Sequence, residues 1–336
     1  MLSDLLAAFA PALDAELRAA LDFHLPPPDD YARMLYYHMG WLDQSQPRLV
    51  AGKRSRPTIT LLCASASGGD WTRALPLAAA VELIHNFSLV HDDIQDGSPL
   101  RRGRATVWKL WGKPQAINAG DALFTYAHLA AQRARLCGLD TAIILEAFQL
   151  LDTTCLHLTQ GQHHDMAFES RENVSVNDYL QMIEGKTASL IATAAECGAL
   201  AAGQSSTVRG QYREFGRHLG LAFQIRDDIL GIWGDAAVTG KSAATDILTR
   251  KKTLPVLYGL DHDPALRAAY YPEGAGGANV STIVAMLEAC GAREYSEEKE
   301  KCHADLALAS LAAAKPVGES GQALRDLTLQ LLGREQ

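Results

Sequence analysis

Five Ala- and Leu-rich stretches, roughly 74–96, 115–136, 141–168, 176–202 and 207–233, run too long for strands and are each closed by glycine, proline or polar turns. Breaks fall at Pro26-Pro27-Pro28, Gly68-Gly69-Asp70, Gly112-Lys113-Pro114, Gly138, Gly203 and the stretch from Gly234 to Thr253. Alternating strand patterns are nearly absent. The chain is therefore expected to be all-α, with central helices apolar on much of their circumference and buried. No low-complexity linker divides it, so residues 1–336 read as a single domain.

Two of these stretches end in carboxylates: Phe87-Ser-Leu-Val-His-Asp92-Asp93-Ile-Gln-Asp96 and Phe223-Gln-Ile-Arg-Asp227-Asp228-Ile-Leu-Gly231. On a helix Asp92 and Asp96 point the same way one turn apart, with Asp93 beside them. Two such helix ends facing each other would repel unless divalent cations sat between them. Hard oxygen ligands suit Mg²⁺, which keeps waters and shares phosphate oxygens. That chemistry points to a diphosphate substrate.

Composition narrows the classes. A formal charge of −8, from 31 basic and 39 acidic residues, argues against a general nucleic-acid binder. The scattered cysteines, Cys63, Cys137, Cys155, Cys197, Cys290 and Cys302, lack metal-ligand spacing and read as reduced thiols. The first residues show no basic region followed by an apolar one, and no uninterrupted apolar run reaches about 18 residues. A cytoplasmic protein without an integral membrane segment is expected.

Cations surround the acidic pair. Lys53, Arg54 and Arg56 precede an apolar helix, where positive charge is unfavourable unless an anion binds. Arg101, Arg102 and Arg104 follow Asp96 closely and offer planar forks for phosphate oxygens. Lys186-Thr187 lies in mid-helix, Lys241, Lys251 and Lys252 lie beyond the second cluster, and His85 sits two turns before Asp92. Adjacent histidines diverge by about 100° on a helix, so His163-His164 is no zinc chelate, and Gln162 and Asp165 read as cavity-lining groups.

In order, the sequence reads GKRSRP (52–57), ELIHNFSLVHDDIQD (82–96), RRG (101–103), GQHHD (161–165), KTA (186–188), FQIRDDILG (223–231) and GKSAATDILTRKKTLP (240–255). This succession resembles the trans-prenyl diphosphate synthases, the polyprenyl synthetase family, over nearly the whole chain. The resemblance implies an antiparallel isoprenoid-synthase helical bundle around a deep apolar cavity, acting as a homodimer. It makes Asp92, Asp93, Asp96, Asp227 and Asp228 the metal carboxylates, holding about three Mg²⁺ ions with the allylic diphosphate. Arg101, Lys186, Thr187, Gln224, Lys241 and Lys251 match positions that steady that diphosphate. Lys53, Arg56, His85 and Arg102 match those that hold isopentenyl diphosphate. The second motif ends in Gly231 where many members carry a third aspartate, so one metal contact is missing or passes to water or Asp235.

The implied reaction needs no protein nucleophile. Stabilising the leaving diphosphate allows the allylic C–O bond to ionise in a site closed to water. The alkene of isopentenyl diphosphate attacks the cation, and a proton is then lost to the departing diphosphate. The Lys186 carbonyl or the Thr187 hydroxyl is expected to face the cation. Phe87 and Ser88 stand where the cavity floor is expected, with Phe87 roughly 7 Å along the axis from Asp92. An aromatic there resembles the archaeal-type geranylgeranyl synthases, so C20 geranylgeranyl diphosphate is the expected product, with C15 farnesyl diphosphate as the alternative. A class I terpene cyclase would share the acidic helix but needs no second substrate site, against which Lys53, Arg56 and Arg102 discriminate. A non-catalytic subunit would be expected to lose motif residues that this chain keeps.

Overall fold

Helical periodicity punctuated by glycine and proline produces the expected all-α fold. The computed structural model describes residues 2–21, 29–42, 54–234, 245–271 and 279–333. Its helices are α1 (Leu2–Leu21), α2 (Asp29–His38), α3 (Ser55–Ala66), α4 (Leu75–Gln95), α5 (Val107–Trp111), α6 (Lys113–Gln132), α7 (Thr141–Ser170), α8 (Val176–Ile183), α9 (Ser189–Ala201), α10 (Ser206–Trp233), α11 (Thr245–Leu248), α12 (Leu254–His262), α13 (Pro264–Tyr270), α14 (Val280–Ala289), α15 (Ala292–Ala313) and α16 (Gly318–Leu331). A turn of π-helix, Glu184–Ala188, joins α8 to α9 where the sequence pattern predicts one continuous helix. Between α4 and α5 a hairpin forms from β1 (Leu100–Arg101) and β2 (Arg104–Ala105).

The chain separates into two compact units. The first takes residues 1–156, 190–213 and 311–327, and the second 157–189, 214–310 and 328–336. In the first unit α4 packs along α6, α3 and α1. Its run Leu77-Ala78-Ala79-Ala80-Val81 is fully buried, because small side chains let neighbouring backbones approach closely. The stretch Trp71–Gln95 is long and apolar enough to cross a membrane, yet 72% of its apolar window is buried in the protein, as for a core helix.

In the second unit one apolar cluster unites Phe168, Tyr179, Ile183, Leu221, Ile225 and Leu254. Ser175 opens α8 with a capping box to Asp178, satisfying two end donors. A histidine pair joins α10 to α15. Arg217 can only donate, so His218 Nε2 accepts from it at 3.0 Å, and His218 Nδ1–H donates to His303 Nδ1 at 3.0 Å. Both rings are held neutral. Burial, followed by the His218 ring and the Arg217 cation, pushes His303 down to about 4.

Candidate active site

In the first unit the acidic cluster sits at the C-terminal end of α4, where the Asp96 amide donates to the Asp92 carbonyl at 2.8 Å. Carboxylates at the negative end of a helix are unfavourable without a cation nearby. Asp96 is exposed and Asp92 partly so, whereas Asp93 is only 2% exposed. Arg101 supplies two donors, Nε and a terminal nitrogen, each 2.8 Å from Asp93 Oδ1. Burial still raises the Asp93 carboxyl against that pairing. The β1–β2 hairpin turns on Arg102 (φ 51) and Gly103 (φ 73), a two-residue turn with both residues left-handed. Its register sets Arg101 opposite Arg104, so the turn presents the arginines as a rigid group.

Arg56 donates to His85 Nε2 at 3.2 Å, which leaves the ring proton on Nδ1; burial and then the Arg56 cation push His85 well below its ordinary value. Arg56 Nε is buried and has no hydrogen-bond partner among the described residues. Arg54 instead pairs with Asp14 of α1 at 2.9 Å. Glu82 lies buried beneath this group, accepting from Asn86 at 3.0 Å. Burial raises Glu82, while Arg54, Asn86, Arg56 and Arg102 pull it down. The Phe87 ring meets Phe124 edge-on with centroids 5.3 Å apart, and Ser88 Oγ donates to the His85 carbonyl at 2.8 Å. Gly52 and Lys53 lie outside the described residues, as do Asp235 and Lys241.

In the second unit the acidic cluster lies near the end of α10, with Asp227 exposed and Asp228 2% exposed. Asp228 is a hub. Its Oδ2 accepts from the Tyr179 hydroxyl and from the Leu254 amide at 3.2 Å, and its Oδ1 from Gln224 Nε2 at 3.2 Å. Burial pushes it up to about 6, with the Lys251 cation the strongest opposing influence. Gln224 in turn accepts from Thr187 Oγ1 at 2.8 Å, and Lys186 Nζ donates to Asp165 Oδ2 at 2.5 Å. Burial works to lower the Lys251 ammonium, yet Asp228, Asp246, Asp165 and Asp227 together raise it. The sequence-predicted groups Asp165, Lys186, Thr187, Gln224, Asp227, Asp228 and Lys251 thus belong to one electrostatic neighbourhood.

Glycines make this arrangement possible. A Cβ on Gly161 would lie 2.3 Å from the Lys186 amide nitrogen, and one on Gly185 2.8 Å from the His157 carbonyl oxygen. The backbone of α7 therefore touches the π turn directly, and π turns of this kind recur at functional sites. Gln162, the next residue, buries both amide atoms with no partner among the described residues. The His163 and His164 rings stand 5.7 Å apart at 61°. At Gly231 a Cβ would lie 2.2 Å from Asp246 Oδ2, so a carboxylate from α11 already fills the space of the missing third aspartate.

The donor set suits Mg²⁺. Among the described residues no three acidic, imidazole or thiol groups converge as a dedicated protein cage would. Mg²⁺ binds through one or two carboxylates with waters and phosphate oxygens making up the rest. Asp92, Asp96 and Asp227, turned outward near helix C-terminal ends, fit that pattern.

The model of the family described as polyprenyl synthetase matches residues 40–287. The chain belongs to the polyprenyl synthetase family. A (2E,6E)-farnesyl diphosphate synthase of Mycobacterium tuberculosis is 37% identical over 326 residues, covering 94% of this chain and 88% of the relative. A geranylgeranyl diphosphate synthase of the same organism is 40% identical over 290 residues, covering 84% and 81%. The crystal structure of a polyprenyl synthetase from Streptomyces coelicolor superposes with a TM-score of 0.87 at 33% identity, covering 99% of this chain and all of that one. This polyprenyl synthetase is a prenyltransferase of the short-chain trans type, and its relatives span both product lengths.

Four groups not singled out from the sequence adjoin the predicted ones in the structure: Tyr179, the Leu254 amide, Glu82 and Asp246. Glu82, Asp246 and Leu254 lie within the motif runs 82–96 and 240–255, whereas Tyr179 lies outside every run. Buried groups also give the enzyme a pH signature. His38, pushed down to about 3 by burial and then by the cations of Arg101 and Arg102, and His303, at about 4, have folded values below the unfolded value of about 6.5. Their contribution to stability is complete above pH 6.5 and is lost as pH falls below it. Asp228, raised to about 6, has the opposite sign, losing stability as pH rises from about 4 to 6. His85 acts with the histidines, while Asp93 and Glu82, raised by burial, act with Asp228. Removing one group isolates its sign: in the metal-free enzyme His303→Gln is expected to lose less Tm than wild type between pH 7 and pH 5. Thermal melts of both proteins across that range check this, and an equal or larger loss in the variant would contradict it.

Proposed function

We propose that this enzyme condenses isopentenyl diphosphate with allylic diphosphates of C5, C10 and C15, mainly to geranylgeranyl diphosphate (C20). The carrying observation is that each acidic cluster turns one aspartate of its adjacent pair outward and anchors the other in the protein, Asp93 through Arg101 and Asp228 through Tyr179, Gln224 and Leu254. Asp92, Asp96 and Asp227 act as the direct carboxylates toward about three Mg²⁺ ions, with Asp93 and Asp228 using lone pairs their protein partners leave free and Asp246 standing in at Gly231. When bound, Mg²⁺ supplies Lewis-acid stabilisation of charge on the leaving diphosphate. Both units serve one prenyltransferase domain, since the family match runs through both.

Arg101, Lys186, Lys241 and Lys251 add positive charge to that diphosphate, so ionisation of the allylic C–O bond separates charge at lower cost. Thr187 and Gln224 orient each other, and their oxygens, with the Lys186 carbonyl and the Gln162 amide, offer dipoles to the allylic cation. Lys53, Arg56, His85 and Arg102 hold isopentenyl diphosphate while its alkene forms the new C–C bond. The departing diphosphate then takes the proton that restores the double bond. The exposed apolar side chains Leu145 and Leu156 of α7 support a homodimer, and the cytoplasm is the proposed compartment.

The test is incubation of the purified chain with Mg²⁺, labelled isopentenyl diphosphate and each allylic primer, reading chain length after dephosphorylation. A dominant C20 alcohol from all three supports the proposal. A C15 stop makes it a farnesyl diphosphate synthase, the reading favoured by the mycobacterial farnesyl relative, and failure to elongate any primer overturns both. Phe87→Ala is expected to lengthen the main product by at least one C5 unit, because the edge-on contact with Phe124 fixes that ring in place. Unchanged length would remove Phe87 from the floor.

A further inference from the structure

We propose that Lys252 is a positioning residue for the condensation: it ties the link between α11 and α12 to the end of α7, and so holds the neighbouring Lys251 beside the acidic cluster that takes the allylic diphosphate. The proposal rests on the synthase reading above and gives Lys252 a role apart from that of Lys251. The two adjacent lysines serve different sides of the chain. Lys251 has its ammonium in the field of Asp228, Asp246, Asp165 and Asp227. Lys252 Nζ donates instead to the main-chain carbonyls of Phe168 and Arg171, where α7 ends.

The last carbonyls of a helix have no partner within it and form its negative end, so an ammonium there is favourable on both counts. Two of the three ammonium protons of Lys252 are spent on these oxygens, which turns it away from the phosphate role that its neighbour fills. Less than one turn before Phe168, α7 carries Asp165, which accepts from Lys186 Nζ at 2.5 Å. A group that fixes the end of α7 therefore fixes Asp165 and, through it, Lys186.

The rest of the link is fastened elsewhere. The Lys251 amide donates to the Asp246 carbonyl at 2.9 Å and the Arg250 amide to the Ile247 carbonyl at 3.1 Å, closing α11 around the left-handed Arg250 (φ 54). The Lys251 carbonyl accepts from the Tyr270 hydroxyl at 3.1 Å, and the Leu254 amide donates to Asp228 Oδ2 at 3.2 Å. These bonds fasten the link to α11, α13 and α10. Lys252 adds the tie to α7, so the link spans the neighbourhood from Asp228 on one side to Asp165 on the other. Without that tie Lys251 follows α10 and α11, while Asp165 stays with α7.

Steady-state kinetics on the full chain with Mg²⁺, varying the allylic primer at saturating isopentenyl diphosphate and the reverse, test this in wild type, Lys252→Met and Lys252→Arg. Methionine keeps the apolar stem and removes the donor. A shift of about 1 Å in a group that orients a reacting centre costs roughly 10² in rate, so kcat/KM for the allylic primer is expected to fall by about ten- to a hundredfold in Lys252→Met, with the isopentenyl diphosphate KM within about twofold. Lys252→Arg, whose guanidinium can serve two carbonyl oxygens, is expected to recover most of that loss. Arg73→Met is the control for a lost tie alone, because Arg73 donates to the Cys137 and Gly138 carbonyls at 3.2 and 2.6 Å in the other unit. Its kinetics should match wild type. Thermal melts in Mg²⁺ with and without inorganic diphosphate give a second readout: the stabilisation by diphosphate shrinks in Lys252→Met and holds in Arg73→Met. Unchanged allylic kcat/KM, an equal rise in both KM values, a loss that arginine does not restore, undiminished stabilisation by diphosphate, or an unfolded Lys252→Met beside a folded Arg73→Met would each overturn the assignment. Wild type that elongates while Lys252→Met matches it rejects Lys252 alone; wild type that fails to elongate rejects the synthase reading, and the role of Lys252 with it.

Discussion

Asp227→Asn is expected to lower kcat by about three orders of magnitude while leaving Tm within about 1 °C, whereas Asp228→Asn should lower both. The contrast follows from where the two adjacent carboxylates point. Asp227 is exposed, so its removal takes nothing from the packed interior. What it removes is a hard oxygen ligand and a negative charge from the proposed cation site. A loss of about 4 kcal/mol in transition-state stabilisation corresponds to roughly 10³ in rate. Asp228 is 2% exposed and collects a phenol, a main-chain amide and a side-chain amide. The asparagine is isosteric, but its NH₂ must face one of those donors, which leaves a buried donor without an acceptor. An unpaired donor in the interior costs roughly 1–3 kcal/mol, or about 1–4 °C in a chain of this size. The tilt of Gln224 and Thr187 is released with it, so activity falls for a second reason. Melts and Mg²⁺ titrations of kcat on both variants decide the matter. Asp227→Asn retaining kcat within tenfold of wild type would remove it from the metal set.

The ease of reading this chain followed the range of the interactions involved. Helices such as α4, α7 and α10 are legible because their apolar periodicity and Gly or Pro stops are local properties. The acidic clusters are legible for the same reason, since the helical period alone places Asp92 and Asp96 on one face. The β1–β2 hairpin escaped notice because two-residue strands leave no alternation, although Arg102-Gly103 is a recognisable turn pair. The π turn at Glu184–Ala188 has no local signature, and residues 176–202 read as one helix. The backbone at Gly161, more than twenty positions away, packs directly against it. Tyr179 reaches Asp228 and Asp246 reaches Gly231 through tertiary packing, which no spacing rule encodes. The missing third aspartate was visible as a gap in the motif, and what fills the gap was visible only in three dimensions.

Gly161→Ala, the second substitution with a large expected effect, follows from that same close approach. The added methyl would sit 2.3 Å from the Lys186 amide nitrogen and 2.8 Å from the Gly185 carbonyl carbon. Both obstacles are backbone, so no rotamer change relieves them and one segment must move away from the other. Forcing atoms into a packed interior costs about 1–3 kcal/mol, and here the displaced segment carries Lys186 and Thr187. A shift of about 1 Å in groups that orient a reacting centre costs roughly 10² in rate. Gly161→Ala is therefore expected to lower Tm by several degrees and kcat by about a hundredfold. Gly210→Ala is the matching control, because a Cβ there meets nothing within 4 Å and alanine favours a helix. That control should hold or slightly raise Tm with unchanged kcat. Differential scanning calorimetry and single-turnover rates on the pair separate the two cases. If Gly161→Ala matched Gly210→Ala in both, the contact between α7 and the π turn would not be what sets the position of Lys186 and Thr187.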